Sequence, residues 1–138
     1  MEDLHQWLKV ARDGGQDFQV LAVWAVGPTA DGLRSVARDV LPDTTRLAMR
    51  GQIMFAALVG TSLEGLTWAE RLRDGLRHDL PIEGLGIAVA SARQHGFDSG
   101  RVLSSVLGIL DEAEREGEDD FIVPAIPVVD AAGAEIFG

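Results

Sequence analysis

The sequence predicts an α+β domain of the ferredoxin-like type: a central, mostly antiparallel sheet flanked by helices, with an N-terminal helix and a short C-terminal extension. Stretches with helical periodicity alternate with short apolar runs along the chain, and their order contains the split βαβ arrangement. The 138 residues, 46% of them hydrophobic, suffice for one buried core. We expect residues 1–124 to form one domain and residues 125–138 to be an extension packed on it.

The first part of the chain predicts two helices around a buried strand. Apolar residues recur at helical spacing over residues 3–13, and Gly14 is a typical helix end. The nearly continuous apolar run Phe18–Val26 indicates a central strand that is buried on both faces. A second apolar stripe over residues 33–41 predicts a helix that ends at Pro42.

A hairpin and a well-capped helix follow. Thr45–Met49 and Ile53–Val59 are strand-like runs on either side of Arg50-Gly51-Gln52, which is typical of a hairpin. Thr61-Ser62-Leu63-Glu64 has the spacing of a capping box and predicts the start of a third helix, which continues to about residue 77.

The last part of the chain predicts two further strands and a helix. Leu85–Ala90 is a strand of small residues, residues 102–113 form a fourth helix ended by Gly117, and Phe121–Val123 is a returning strand. The apolar residues within 126–137 predict a short terminal hairpin or an edge strand.

Composition and charge exclude several classes of function. The chain has no cysteine, so disulfides, thiolate zinc sites and iron–sulfur clusters are excluded. A net charge of −10 disfavours nucleic acid as a partner. The apolar runs are too short for a membrane span and the N-terminus is acidic, so we expect a cytoplasmic protein without a membrane partner. The three histidines, His5, His78 and His95, are far apart and predict no metal site.

Several strings of the second half have a characteristic order and spacing. They are Ala56–Gly65 with Ala69–Arg73, Gly86–Ser91, and Leu110–Gly117. Together with the order of elements, they resemble the GGDEF domain of diguanylate cyclases over nearly the whole chain, from Leu4 to about Pro124. The resemblance implies a GGDEF-type sheet and helices.

The family's signature turn is changed in this chain. Gly51-Gln52-Ile53-Met54-Phe55 stands where the family has Gly-Gly-Asp/Glu-Glu-Phe, and the first strand carries no carboxylate. In the family these acidic groups bind the metal ions that support phosphoryl transfer. The resemblance therefore implies a degenerate domain with no catalytic residues, no metal ligands and no cofactor.

The leading hypothesis is a catalytically inactive regulatory or protein-interaction module in bacterial signalling or protein localisation. We expect its partner to be another protein or a second copy of the chain. The expected docking surface is Arg50, Gly51, Gln52, Ile53 and Met54, because the family's turn would place two apolar side chains at an exposed tip. In the alternative, residues 126–137 fold back over the turn and bury it.

Trp24 lies on the strand that carries the family's metal-binding Asp. One hypothesis is that its ring fills the former nucleotide cleft, and the other is that it is an ordinary core residue.

Two other functions stay open at this point. The chain could be a non-catalytic sensor of GTP or a cyclic dinucleotide, which would need Arg46, Arg50 and Arg101 as phosphate donors; we consider nucleotide binding the less favoured outcome. It could also be an unrelated enzyme that uses His78 beside Asp79, although a polar loop after a helix explains that pair more simply.

Overall fold

The computed structural model describes residues 2–116 and 120–125. Its helices are α1 (Glu2–Asp13), α2 (Ala30–Val40), α3 (Ser62–Asp79) and α4 (Ser99–Glu116), and its strands are β1 (Phe18–Val26), β2 (Arg46–Arg50), β3 (Ile53–Val59), β4 (Gly84–Ser91) and β5 (Asp120–Ala125). The predicted order of elements is confirmed. The predicted helix end at Gly117, the hairpin or strand within 126–137 and the packing of the C-terminal extension lie outside the described residues.

The five strands form one sheet in the order β2-β3-β1-β4-β5. β1 pairs antiparallel with both β3 and β4, and β2 pairs antiparallel with β3. β5 lies parallel to β4 at one edge. The sheet is therefore mixed and mostly antiparallel, and the expected α+β class is confirmed.

Helices cover both faces of the sheet. On β1, Leu21 and Val23 pack into the core beneath α2 and α3, whereas Val20 and Ala22 pack into the core beneath α1 and α4. Successive side chains of a strand point to opposite faces, so a central strand between two helical layers has to be apolar at nearly every position. This is why Phe18–Val26 is an almost continuous apolar run.

Both edges of the sheet carry features that oppose further strand pairing. β2 is short, and exposed arginines stand at its two ends, Arg46 and Arg50. β5 contains Pro124, which has no N–H to donate to a neighbouring strand. Short strands, charges and prolines are the usual means by which natural sheets avoid edge-to-edge aggregation.

The helices follow the signals in the sequence. The capping box at α3 is complete: the Thr61 hydroxyl accepts from Glu64 N at 3.2 Å, and the Glu64 carboxylate accepts from Thr61 N at 2.8 Å. Thr29 caps α2 by accepting from Gly32 N at 3.0 Å. Within the described part of the chain, no helix combines the length and the apolar character that crossing a membrane requires.

Candidate functional site

A cavity of about 230 Å³ opens where the end of β1, the start of α2 and the β2–β3 turn meet. The pairing of Trp24 with Ile53 places the end of β1 beside that turn. The cavity corresponds to the region where the resemblance places the nucleotide cleft. Its lining residues are Ala25, Val26, Gly27, Pro28, Ala30, Leu33, Met49, Gly51 and Gln52.

Backbone contacts fix the floor of the cavity. Gly27 has φ +115°, and a Cβ built there would lie 2.8 Å from the carbonyl oxygen of Pro81, so this position requires glycine. The carbonyl oxygen of Val26 accepts a hydrogen bond from Glu83 N at 2.9 Å. The exit from β1 is thus held against the loop that precedes β4.

The β2–β3 turn consists of two residues, Gly51 and Gln52, because Arg50 already pairs with Ile53. Arg50 therefore belongs to the strand and not to the turn. Gly51 has φ +61° whereas Gln52 does not have a positive φ, which is the pattern of a type II′ hairpin turn. Arg50, Gly51 and Gln52 are all exposed.

The expectation that Ile53 and Met54 form an exposed apolar tip is wrong. Met54 is completely buried and packs in the core beneath α2 and α3. Ile53 is half-buried and packs at the margin of the opposite core. The physical reason is that β3 begins at Ile53, so strand alternation sends the two side chains to opposite faces of the sheet.

Of the two hypotheses for Trp24, the one in which its ring fills the former nucleotide cleft is wrong. Trp24 is half-buried, packs with the core beneath α1 and α4, and does not line the cavity. Its ring lies over Gly84 on the neighbouring strand, where a Cβ added to the glycine would be 3.3 Å from the ring. Its neighbours on β1, Val23 and Ala25, face α2 and α3 instead.

The lining residues do not fit a pair of divalent metal ions. Among the described residues that line the cavity, Gln52 is the only one with a polar side chain, and none carries a carboxylate. Asp31, next to Ala30 at the start of α2, is exposed and paired with Arg34. Within the described residues, no three His, Asp or Glu side chains are grouped so that they could hold a metal ion.

The arginines expected as phosphate donors do not gather around the cavity. Arg46 and Arg50 are at opposite ends of β2, and Arg101 is in the first turn of α4; none of the three lines the cavity. His78 and Asp79 do contact each other, with Nδ1 and Oδ1 2.7 Å apart. The His78 side chain is 86% exposed at the end of α3, so this pair is a solvated ion pair or hydrogen bond.

Sequence reasoning missed a buried polar network at the other end of the sheet. His95 is completely buried, with Nδ1 2.8 Å from the Ser91 carbonyl oxygen and Nε2 3.0 Å from the Ser105 hydroxyl. A carbonyl oxygen only accepts, so Nδ1 carries a proton, and in the neutral ring Nε2 accepts from the Ser105 hydroxyl. The Ser91 hydroxyl donates to Asp17 at 2.7 Å, and the Gln19 amide donates to the Gly60 carbonyl at 3.0 Å. The one signal in the sequence was Gln19, a polar residue in an otherwise apolar strand.

Comparison with known proteins finds similarity at the level of structure. No family model and no curated protein matches the chain. The diguanylate cyclase SiaD of Pseudomonas aeruginosa, solved in complex with its activator SiaC, matches with a TM-score of 0.72 at 16% identity, over 90% of this chain and 56% of SiaD. This chain thus corresponds to just over half of SiaD. The GGDEF domain of the PA2567 protein, also from P. aeruginosa, matches with a TM-score of 0.63 at 19% identity, over 94% of this chain and 96% of that domain.

These matches agree with the resemblance that the sequence suggested, and they cover nine-tenths or more of this chain. The chain has the fold of a GGDEF domain.

Proposed function

We propose that this domain is a catalytically inactive regulatory module with a GGDEF fold, which acts through contacts with another protein in a bacterial signalling or localisation pathway. The observation that carries the proposal is the lining of the cavity between β1, α2 and the β2–β3 turn. Joining two nucleoside triphosphates requires metal ions and cationic or N–H donors that stabilise charge on the transferring phosphoryl groups. Gln52 is the only polar side chain among the described residues of this lining.

The size of the cavity supports the same proposal. Pockets for drug-sized ligands usually have volumes of about 300–1,000 Å³. The cavity here is about 230 Å³, which is small for a nucleoside triphosphate with its metal ions. A domain of this fold that lacks the catalytic groups still has an exposed exterior. Through that exterior it can bind and regulate another protein.

A protein partner is in keeping with one structural neighbour. SiaD is a diguanylate cyclase that has been solved together with its activator SiaC. For this chain we place the docking surface at the β2–β3 turn, on the exposed residues Arg50, Gly51 and Gln52 and the half-buried Ile53. Met54 is left out of that surface because it is buried. Arginine is enriched at protein interfaces, and a few such anchors often provide most of the binding energy.

The first experiment tests the loss of chemistry. Purified protein is incubated with GTP and Mg²⁺ or Mn²⁺ beside an active diguanylate cyclase, and the products are separated by chromatography. We expect no cyclic dinucleotide from this protein. Titration calorimetry with GTP and with the cyclic dinucleotide completes the test, because saturable binding without turnover would identify a nucleotide sensor in place of a protein-interaction module.

The second experiment tests the docking surface. Proteins captured by the wild-type chain from its source cells are compared with those captured by Arg50→Glu and by Gln52→Ala. Arg46→Glu is the matched control, because it makes the same charge reversal at the other end of β2. We expect the turn variants to lose a partner that the control keeps, at unchanged thermal stability. Equal capture by all variants would exclude the turn as the docking surface.

A further inference from the structure

A second cavity, of about 470 Å³, forms a groove between α3 and the edge strand β5. Five of its described lining residues are apolar, namely Leu63 and Leu66 on α3 and Phe121, Ile122 and Pro124 on β5. Thr67, Glu70 and Arg73 add polar groups farther along the α3 side. Leu63 is 74% exposed, the highest value among the exposed large apolar residues of the described chain. Exposed apolar side chains that line a groove are a typical docking site for an additional segment of chain, held by side-chain contacts and not by strand pairing.

The chain leaves β5 at one end of this groove. Ala125, the last residue of β5, pairs with Ala90, and Ala90 is next to Ser91, which pairs with Gln19 at the start of β1. Gly65, in the first turns of α3, packs directly on Gln19: a Cβ added to Gly65 would lie 2.8 Å from Cγ of Gln19. The end of β5 and the exposed start of α3 are therefore at the same end of the sheet. Ala125, at which the described part of the chain stops, is therefore at the Leu63 end of the groove.

The segment that follows has the composition and the length to occupy the groove. Residues 126–138 include Ile126, Val128, Val129, Ile136 and Phe137. Fully extended, the segment would span about 40 Å at roughly 3.3 Å per residue. The groove follows α3 from Leu63 to Arg73, a distance of about 15 Å at 1.5 Å per residue. The segment is therefore long enough to enter the groove and to return along it.

We propose that residues 126–138 dock into the groove between α3 and β5 of the same chain and cover Leu63 and Leu66. This differs from the sequence-based alternative in which the segment covers the β2–β3 turn. β2 and β5 are at opposite edges of the sheet. Ile53, which flanks that turn, pairs with Trp24 near the C-terminal end of β1, whereas Ala125 is level with the N-terminal end of β1. Ala125 is therefore at the far edge and the far end of the sheet from the turn, immediately beside the groove.

The first test is a stability cycle. Leu63→Ser is made in the full chain and in a chain that ends at Ala125, and the melting temperature of each is measured. Val10→Ser is the matched control, because Val10 is 57% exposed on α1, on the other side of the sheet. If the segment covers Leu63, the substitution lowers the melting temperature of the full chain by roughly 5 °C and has much less effect in the shortened chain. Equal effects in both chains, or an effect no larger than that of Val10→Ser, would overturn the proposal.

The second test uses the absence of cysteine from the sequence. The variant pair Leu63→Cys with Val128→Cys is oxidised and compared with the pair Val10→Cys with Val128→Cys. We expect rapid disulfide formation within one chain for the first pair only. Equal rates for the two pairs contradict the proposal. A disulfide that links two chains, together with a dimer in light scattering, also overturns it, because the groove would then hold the segment of a second copy.

Discussion

His95 provides a test at the scale of single residues, because its ring joins two elements in the core. Nδ1 donates to the Ser91 carbonyl at the end of β4, and Nε2 is hydrogen-bonded to the Ser105 hydroxyl on α4. Removing the ring leaves the Ser105 hydroxyl and the Ser91 carbonyl without these partners in a buried place. We expect His95→Leu to lower the free energy of unfolding by about 2–3 kcal/mol in urea denaturation.

The exposed neighbour Gln94 is the control for that prediction. Gln94→Leu should change stability by less than about 0.5 kcal/mol. If both substitutions had equally small effects, the hydrogen bonds of His95 would contribute little and its burial alone would explain its position.

A second prediction at the residue scale separates the two sides of the β2–β3 turn. Met54 is fully buried, so Met54→Ala should cost about 3 kcal/mol through lost burial and an unfilled cavity. Gln52 is exposed, so Gln52→Ala should change stability by less than about 0.5 kcal/mol. Chemical denaturation of both variants checks the difference. A neutral Met54→Ala would contradict the burial of this side chain beneath α2 and α3.

At the scale of the element, substitution of two glycines by alanine should change the stability of the protein in opposite directions. Gly51 has φ +61°, and a Cβ added there would meet nothing within 4 Å, so Gly51→Ala introduces backbone strain alone and should cost about 1 kcal/mol. Gly108 lies within α4, also with nothing within 4 Å, so Gly108→Ala should stabilise the protein by about 0.5–1 kcal/mol through helix propensity. Thermal unfolding of the two variants measures the signs. Stabilisation by Gly51→Ala would rule out the type II′ turn.

At the scale of the whole molecule, the net charge of −10 predicts a response to salt. Repulsion among like charges destabilises a compact state, and the Debye length falls from about 30 Å at 0.01 M to about 8 Å at 0.15 M ionic strength. Exposed ion pairs such as Arg115–Asp111 contribute little in the opposite direction. We expect the melting temperature to rise by roughly 3 °C over this range of sodium chloride.

The acidic end of α4 offers a control for the salt effect. Glu112 and Glu114 are exposed near the C-terminal end of the helix, where negative charge opposes the helix dipole. A variant with Glu112→Gln and Glu114→Gln should melt higher at low salt and respond less to added salt. A melting temperature that falls with salt in the wild type would mean that attractive ion pairs outweigh the repulsion.

The sequence by itself determined which elements form and in what order, because the signals for them are local. The continuous apolar run of β1 indicated burial on both faces, and the Thr61–Glu64 capping box marked the start of α3. The motif at residues 51–55 and the absence of carboxylates from β1 supported the proposal of a regulatory domain without catalysis. This too could be read from the sequence, because residue identity decides which chemistry is possible.

Only the tertiary structure decided which side of the sheet each side chain faces and what lies next to it. A shift of one residue in a strand moves every side chain to the other face, so the cross-strand register was needed to bury Met54 and to place Trp24 away from the cavity. The contact between His95 and Ser105 depends on how α4 docks on the sheet. The groove beside β5 exists because a parallel edge strand and the start of α3 meet there, through contacts between residues that are far apart in the sequence.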